Sequence, residues 1–297
     1  MLSMDRLPFS GCETAMAKPT IEAISEENLR EFADFLVQHM SYQRSREEWI
    51  EGLSANWAAE RPNFGYMLRD EGRVVGGIGA IYADRLIRGR TERFCNITSW
   101  CVLDDYRKFS MQLAMRLVAQ EGIHLTDFSP TKVVAGALQF LKFQPLDEAV
   151  IVLPNLPIPS FGWRVETDSG RIDRDFSGDL AKKWLDHAAF PWLNQILLGR
   201  PGNWCHIIYK RRSFKGLPSA SILYLSDGES FLQGLATLQL HFLLRGMVST
   251  HVERRMLPAV PRIAKIRTGF NTKQFKSDTL TSDDIDYLYS ESVALDL

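Results

Sequence analysis

Residues 97–120 read ITSWCVLDDYRKFSMQLAMRLVAQ. A strand-like run stops at the acidic pair Asp104-Asp105. The basic pair Arg107-Lys108 follows, and from Ser110 onward apolar residues recur at helical spacing. Strand, cationic turn, then helix N-terminus is an order that holds phosphates. The first N–H groups of a helix lack partners within it, and that end carries about half a positive charge. No glycine stands between Val102 and Gln120. The close approach that glycine permits must therefore be made at Phe109, Ser110, Met111 and Gln112.

Working back from this stretch, Phe94–Leu103 reads as a strand, and a loop carrying Arg85, Arg88, Arg90 and Arg93 precedes it. Before the loop, Phe64–Leu68 and Arg73–Tyr82 read as two strands joined by the tight turn Asp70-Glu71-Gly72. Gly76, Gly77 and Gly79 crowd the second strand, where glycine marks a close approach of another element. They lie inside a strand, so they are not a dinucleotide-binding GxGxxG, which opens a helix. Further upstream, Thr20–Ile24 reads as a strand, with one helix capped by Ser25 and a second after Ser45. The second helix carries Trp49, Leu53 and Trp57 on one face and ends near Arg61-Pro62. Residues 1–18 read as a loose tail, with Met4 and Met16 as alternative starts.

Downstream, His124–Phe128 reads as a strand and Thr131–Phe140 as a helix. Ala149–Leu153 is a strand closed by PNLPIP, which marks a domain edge. The expected division is a tail over 1–18, a first domain over 19–157 and a second α/β half over 158–297. In that second half Ser177 caps a helix to Phe190, and Cys205–Lys210 and Ser219–Leu225 form a hairpin. One long helix runs from Glu229 to Arg245, and Thr250–Leu257 is a strand. The chain closes with the acidic run TSDDIDYLYSESVALDL.

The 297 residues carry 35 Lys and Arg against 36 Asp and Glu, a net charge of -1. Dedicated nucleic-acid binders carry a basic excess, so this balance argues against one. No apolar run reaches the ~18 residues of a membrane helix. The start lacks the basic and apolar regions of a signal peptide. Cys12, Cys95, Cys101 and Cys205 form no CxxC pair and are expected as reduced thiols in a cytoplasmic protein. The six histidines show no metal-ligand spacing, so no metal is expected.

The hairpin DEGRVVGGIGAIYA, the segment VLDDYRKFSMQLAMRLV and the segment KVVAGALQFLKFQPL, in this order, resemble the GNAT superfamily of acyl-CoA N-acyltransferases across residues 20–157. That family's turn commonly reads V-x-P-x-x-R-x-x-G-x-G/A. Val102 and Arg107 match it, Asp104 stands for the proline, and Ser110 and Gln112 stand for the glycines. Its later Tyr-x-x-x-Gly-Phe is matched only at Phe143, with Leu138 and Lys142 at the other places. The resemblance implies an α/β chain of the α+β type with a mixed, strongly twisted sheet flanked by helices. It implies acetyl-CoA or a longer acyl-CoA as co-substrate and a small-molecule amine as acceptor. The co-substrate would lie on Trp100, Cys101, Val102, Arg107, Lys108, Phe109, Ser110, Met111 and Gln112.

The family's usual base falls at Asn96, which takes no proton at neutral pH. Glu92, Tyr82, Ser99 and Cys101 are the catalytic candidates nearby. The segment SILYLSDGESFLQGLA repeats the strand–turn–helix step, so the second half is a candidate degenerate unit of the same kind. Its turn carries Asp227 and Glu229, which repel a pyrophosphate. Three readings stand: an acyl-CoA-dependent N-acyltransferase, an inactive binding or regulatory protein of that fold, and an acyltransferase fed by acyl carrier protein. In the last, the arginines at 85–93 would meet the acidic carrier.

Overall fold

The computed structural model describes residues 18–167, 178–200 and 202–297. Nearly all of the expected tail, with Met4, Cys12 and Met16, and the expected cap Ser177 lie outside the described residues. The first half contains β1 (Thr20–Ala23), α1 (Leu29–His39), α2 (Arg46–Ser54), β2 (Gly65–Asp70), β3 (Arg73–Ile87) and β4 (Arg90–Val102). It continues with α3 (Ser110–Val118), β5 (Ile123–Asp127), α4 (Lys132–Phe140), β6 (Gln144–Pro145) and β7 (Val150–Pro154). The second half contains β8 (Arg164–Glu166), α5 (Asp179–Ala188), β9 (Leu193–Arg200), β10 (Asn203–Phe214) and β11 (Leu217–Leu225). Then follow α6 (Gly228–Gln233), α7 (Leu235–Leu244), β12 (Ser249–Glu253), β13 (Lys265–Arg267), β14 (Gln274–Lys276) and α8 (Glu291–Ala294).

These strands build two seven-stranded sheets, ordered β1-β2-β3-β4-β5-β14-β6 and β8-β9-β10-β11-β12-β7-β13. In both, three antiparallel pairings lead to one parallel pairing, β4 with β5 and β11 with β12. Two antiparallel pairings complete each sheet. The chain thus holds two units of one topology, and they exchange a strand. β7 lies between β12 and β13, while β14 lies between β5 and β6. Strand pairing therefore crosses the expected 157/158 boundary in both directions.

Local chemistry accounts for several differences from the sequence reading. Ser25 does not cap α1: its N–H donates to the Asn28 side chain, and the helix starts at Leu29. Ser45 does cap α2, in a reciprocal box with Glu48. That helix ends at Ser54, so Trp57 leaves its face and bridges to Ala83 instead. The arginine-rich loop is the tip of a long β3–β4 hairpin, turned by Arg88 and Gly89 with φ of 50° and 79°. The long helix expected over 229–245 is broken at Gly234, where a Cβ would lie 2.7 Å from the Trp163 ring. The strand expected over 250–257 stops at Glu253 and ends in a short 3-10 turn.

The strand glycines have the anticipated purpose. A Cβ on Gly77 would sit 2.3 Å from Phe32, and one on Gly79 would sit 2.8 Å from Leu53. Both neighbours are fully buried, and through them α1 and α2 pack onto β3. Gly77→Val is expected to lower stability by about 1–3 kcal/mol through overpacking, read as a fall in Tm. A Tm within a degree of wild type would show that α1 moves aside freely.

Candidate active site

β5 pairs with β4 from Arg93–Ile123 to Asn96–Thr126 and no further, while β4 runs on to Val102. Past Asn96 the two parallel strands separate. In the same stretch, Thr98 to Cys101 of β4 faces only Gly79 to Gly77 of β3, so β4 carries one extra residue. Ser99 sits in that bulge with φ of 51°. A bulge leaves backbone unpaired and re-aims side chains.

The opening is a cleft of about 460 Å³. Trp100, Cys101 and Val102 form one wall, Arg107, Ser110 and Met111 the head, and Thr131, Val133, Val134 and Ala137 the other wall. A second cavity of about 250 Å³ shares Trp100, Thr131 and Val134 with it and reaches down to Thr98, Ser99, Asp127 and Ser129. Six of the nine residues expected to hold a co-substrate thus share one cleft, whereas Lys108, Phe109 and Gln112 are not in its wall. The Lys108 ammonium lies over the Phe109 ring, 5.2 Å from its centre. Sequence reasoning missed the α4 wall. That wall carries Val133, an apolar residue 84% exposed.

The turn itself is wound differently from the expectation. Residues 104–109 form a 3-10 helix, and the Ser110 N–H donates to the Arg107 carbonyl. Asp104 and Asp105 occupy the start of that helix. Arg107 pairs with Asp104 at 2.8 Å, both side chains being largely exposed. Trp100 Nε1 donates to the Ser110 hydroxyl at 2.9 Å, which ties the bulge to the start of α3. The cleft therefore offers one guanidinium and one hydroxyl at its head, above an apolar channel.

The catalytic candidates separate. Tyr82 is fully buried, and its hydroxyl bonds Asn63 and Gln120 at 3.2 Å each. Burial drives that phenol upward, so it holds its proton. Glu92 lies at the far end of β4, bonded to His124 at 3.1 Å. At about 3.3 Å per residue it is roughly 20 Å from the bulge. Neither lines the cleft or its deeper cavity. Cys101 lines the cleft, but burial pushes its thiol up, against thiolate formation. Ser99 lines the deeper cavity, its hydroxyl 3.3 Å from that of Thr98.

Two acids that were not candidates meet where the strands part. Asp127, the last residue of β5, lines the deeper cavity and is 4% exposed. Glu291, from α8, is fully buried behind it. The Phe128 N–H and the Ser129 hydroxyl donate to Glu291 Oε1 at 2.8 and 3.3 Å. The Ser129 N–H donates to Asp127 Oδ1 at 3.2 Å. Asn96, at the family's usual base position, takes the Glu291 N–H at 2.8 Å and so seats this second acid. Burial, and then the neighbouring Glu291, push Asp127 well above the carboxylate range. Burial pushes Glu291 up to about 7, opposed by its donor from Phe128. Asp127 had one sequence signal, an acid closing an apolar strand before Ser129-Pro130. Glu291 was hidden in what read as an acidic tail.

The second unit repeats the step with a different turn. Asp227 accepts from the N–H groups of Glu229 and Ser230 and so caps α6 with its own side chain. Beneath it, Leu223 and Tyr224 pack against Ile285, Tyr287 and Leu288. Three of the four arginines of the β3–β4 hairpin are engaged within the chain. Arg85 pairs with Asp286 at 2.5 Å, Arg88 with Asp284 at 2.8 Å and Arg93 with Asp84 at 3.6 Å.

No protein-family model and no curated protein matches the chain. Solved structures do. A GCN5-related N-acetyltransferase from Anabaena variabilis superposes with a TM-score of 0.60 at 14% identity, over 87% of this chain and 72% of its own. A conserved protein from Enterococcus faecalis, described as a probable N-acyltransferase, gives 0.59 at 13% identity, over 90% and 74%. A GCN5-related N-acetyltransferase from Kribbella flavida gives 0.54 at 13% identity, over 86% and 70%. The chain has the fold of the GCN5-related N-acetyltransferase, or GNAT, superfamily. It is a mixed α/β protein of two such sheets in tandem. Among the described residues no helix is long and apolar enough to cross a membrane.

Proposed function

We propose that the protein transfers an acyl group from an acyl-CoA to an amine of a small molecule. The observation that carries this reading is the parted β4–β5 pair with its bulge at Ser99, opening into the channel between β4 and α4. Unpaired backbone on a strand edge binds an extended amide-bearing chain as a further strand would be bound. The pantetheine arm is such a chain. Trp100, Val102, Met111 and Val134 supply apolar walls for it, and Arg107 and the Ser110 hydroxyl stand at the pyrophosphate end. Catalysis by such a site rests on holding thioester and amine together, with backbone donors polarising the carbonyl.

The wound turn favours a second donor. With Asp104 and Asp105 beside Arg107, the head of the cleft suits a pantetheine thioester without a nucleotide, as an acyl carrier protein presents it. Arg85, Arg88 and Arg93, paired within the chain, lend that donor no support.

Calorimetric titration with acetyl-CoA and longer acyl-CoAs tests the first reading. Wild type is expected to bind, and Arg107→Glu to bind several-fold more weakly. No heat with any acyl-CoA, but turnover of a pantetheine-linked carrier thioester, would favour the second. A thiol-release assay over amines, amino acids and amino-sugars then reads turnover. Tight binding with no release would point to a binding protein of this fold.

A further inference from the structure

The two units provide an internal comparison at one topological position. Asp127 ends β5 and pairs with Gln274, the first residue of the exchanged strand β14. Glu253 ends β12 and pairs with Val150, the first residue of the exchanged strand β7. Both acids stand where a parallel pair parts, and both are buried. Their surroundings are opposite. Glu253 takes Lys273 Nζ at 2.6 Å, Arg255 Nε at 2.8 Å and the Tyr287 hydroxyl. Burial raises it, but Lys273 and Arg255 outweigh burial and hold it below the ordinary range. It is a neutralised structural acid, ion-paired to Lys273 and Arg255. Asp127 meets no cation among these contacts, only a second carboxyl.

Each of the other groups around the pair has a fixed place. Asn96 from β4 and Gln274 from β14 are neutral. Lys210 from β10 gives its ammonium to Asp296 at 2.8 Å and to the Ser292 carbonyl. His39 and Tyr42 stand on the cavity wall. Two adjacent buried carboxyls do not both ionise near neutral pH. Glu291 holds the charge more readily, because the Phe128 N–H and the Ser129 hydroxyl both donate to it. Its Oε2 is buried without a hydrogen-bond partner. The proton of the pair therefore rests on Asp127, the member that faces the cavity.

We infer that Asp127 is the proton carrier of the acyl transfer, with Glu291 positioned behind it to keep it protonated. This rests on the acyltransferase reading. The amine nitrogen attacks the thioester carbonyl, the C–N bond forms and the C–S bond breaks. The departing thiolate takes the Asp127 proton, and the nitrogen then returns its surplus proton to the Asp127 carboxylate. Amine plus thioester gives amide plus free thiol, and Asp127 ends as it began.

Both variants keep the acceptors that the backbone needs. Asp127→Asn is expected to bind acyl-CoA within threefold of wild type and to release thiol at least ~100-fold more slowly. Glu291→Gln removes the anion behind Asp127, so Asp127 gives up its proton at lower pH. The alkaline fall of turnover is expected to move to lower pH in that variant, with the acyl-CoA KM unchanged. A purely structural Glu291 would leave the limb in place. Infrared spectra above pH 8, where Glu291 is ionised, should show a protonated-carboxyl stretch in wild type that is missing in Asp127→Asn. Normal binding together with wild-type turnover in Asp127→Asn, or an unmoved limb in Glu291→Gln, overturns the proposal alone. Failure of wild type to bind any acyl-CoA overturns the acyl-CoA reading, and this proposal with it.

Discussion

Residues 19–157 produced alone are expected to be insoluble or to lack a cooperative unfolding transition, although they contain all but one strand of the first sheet. The missing strand is β14, which lies between β5 and β6. Without it, the edge of β5 from Leu125 to Asp127 loses its ladder. The cluster holding Phe94, Phe128 and Leu146 also loses Phe275, Tyr287, Leu288 and Val293. At the same time the apolar strand VIVLP of β7 is left without β12 and β13, an open edge that invites aggregation. Phe275 alone, 2% exposed, is worth about 3–5 kcal/mol when cut to alanine, against a typical total of about 5–15 kcal/mol. The same exchange predicts one unfolding transition for the whole chain. Circular dichroism and calorimetry of the fragment and the full chain check this. A soluble fragment that melts cooperatively would refute the interdependence.

Filling the channel should have the next largest effect. Ala137→Trp places an indole in the wall of a cleft of about 460 Å³, opposite Trp100 and Val102. Ala137 is a partly exposed position on α4, so the substitution is expected to leave Tm within a few degrees. Acyl-CoA affinity should fall at least tenfold, about 1.4 kcal/mol, because the indole takes the space proposed for the pantetheine arm. Arg107→Glu, at an exposed and already paired guanidinium, should do less. Equal or larger loss in Arg107→Glu would place the binding energy on the phosphates and not in the channel.

The buried acid pair also marks stability. Glu291 titrates in the folded chain near 7, against about 4.5 when unfolded. A carboxyl raised on folding contributes stability that is full below the unfolded value and is lost as pH rises through the folded one. Stability, read as Tm, is therefore expected to fall between pH 5 and 8, on the order of 2–3 kcal/mol from Glu291 alone. Asp127→Asn/Glu291→Gln should flatten that decline. An unchanged slope would show that other groups cause it.

Much of the site was legible in the residues because its signals are local. Strand, turn and helix around Val102 follow from apolar periodicity, and the charge of the turn from neighbouring side chains. The contrast with Asp227 needed only the two turns side by side. The glycines at 77 and 79 announced a close approach without saying that Phe32 and Leu53 make it. The winding of residues 104–109 was not legible, because a 3-10 turn and an open turn share one composition. Nor did periodicity separate one helix over 229–245 from two, since the break at Gly234 is made by Trp163 and Leu198 pressing on it.

By itself, then, the sequence determined the order of elements from β1 to α4, the repeat of the strand–turn–helix step and which of its two turns is cationic. Each rests on residues a few positions apart. Only the tertiary structure decided which sheet each late strand joins, because β7 and β14 are short segments whose own residues name no partner strand. It alone brought Glu291 to Phe128 across 163 residues. That contact places two carboxyls where a protein interior tolerates one charge, and makes of a strand-end aspartate a group that holds its proton.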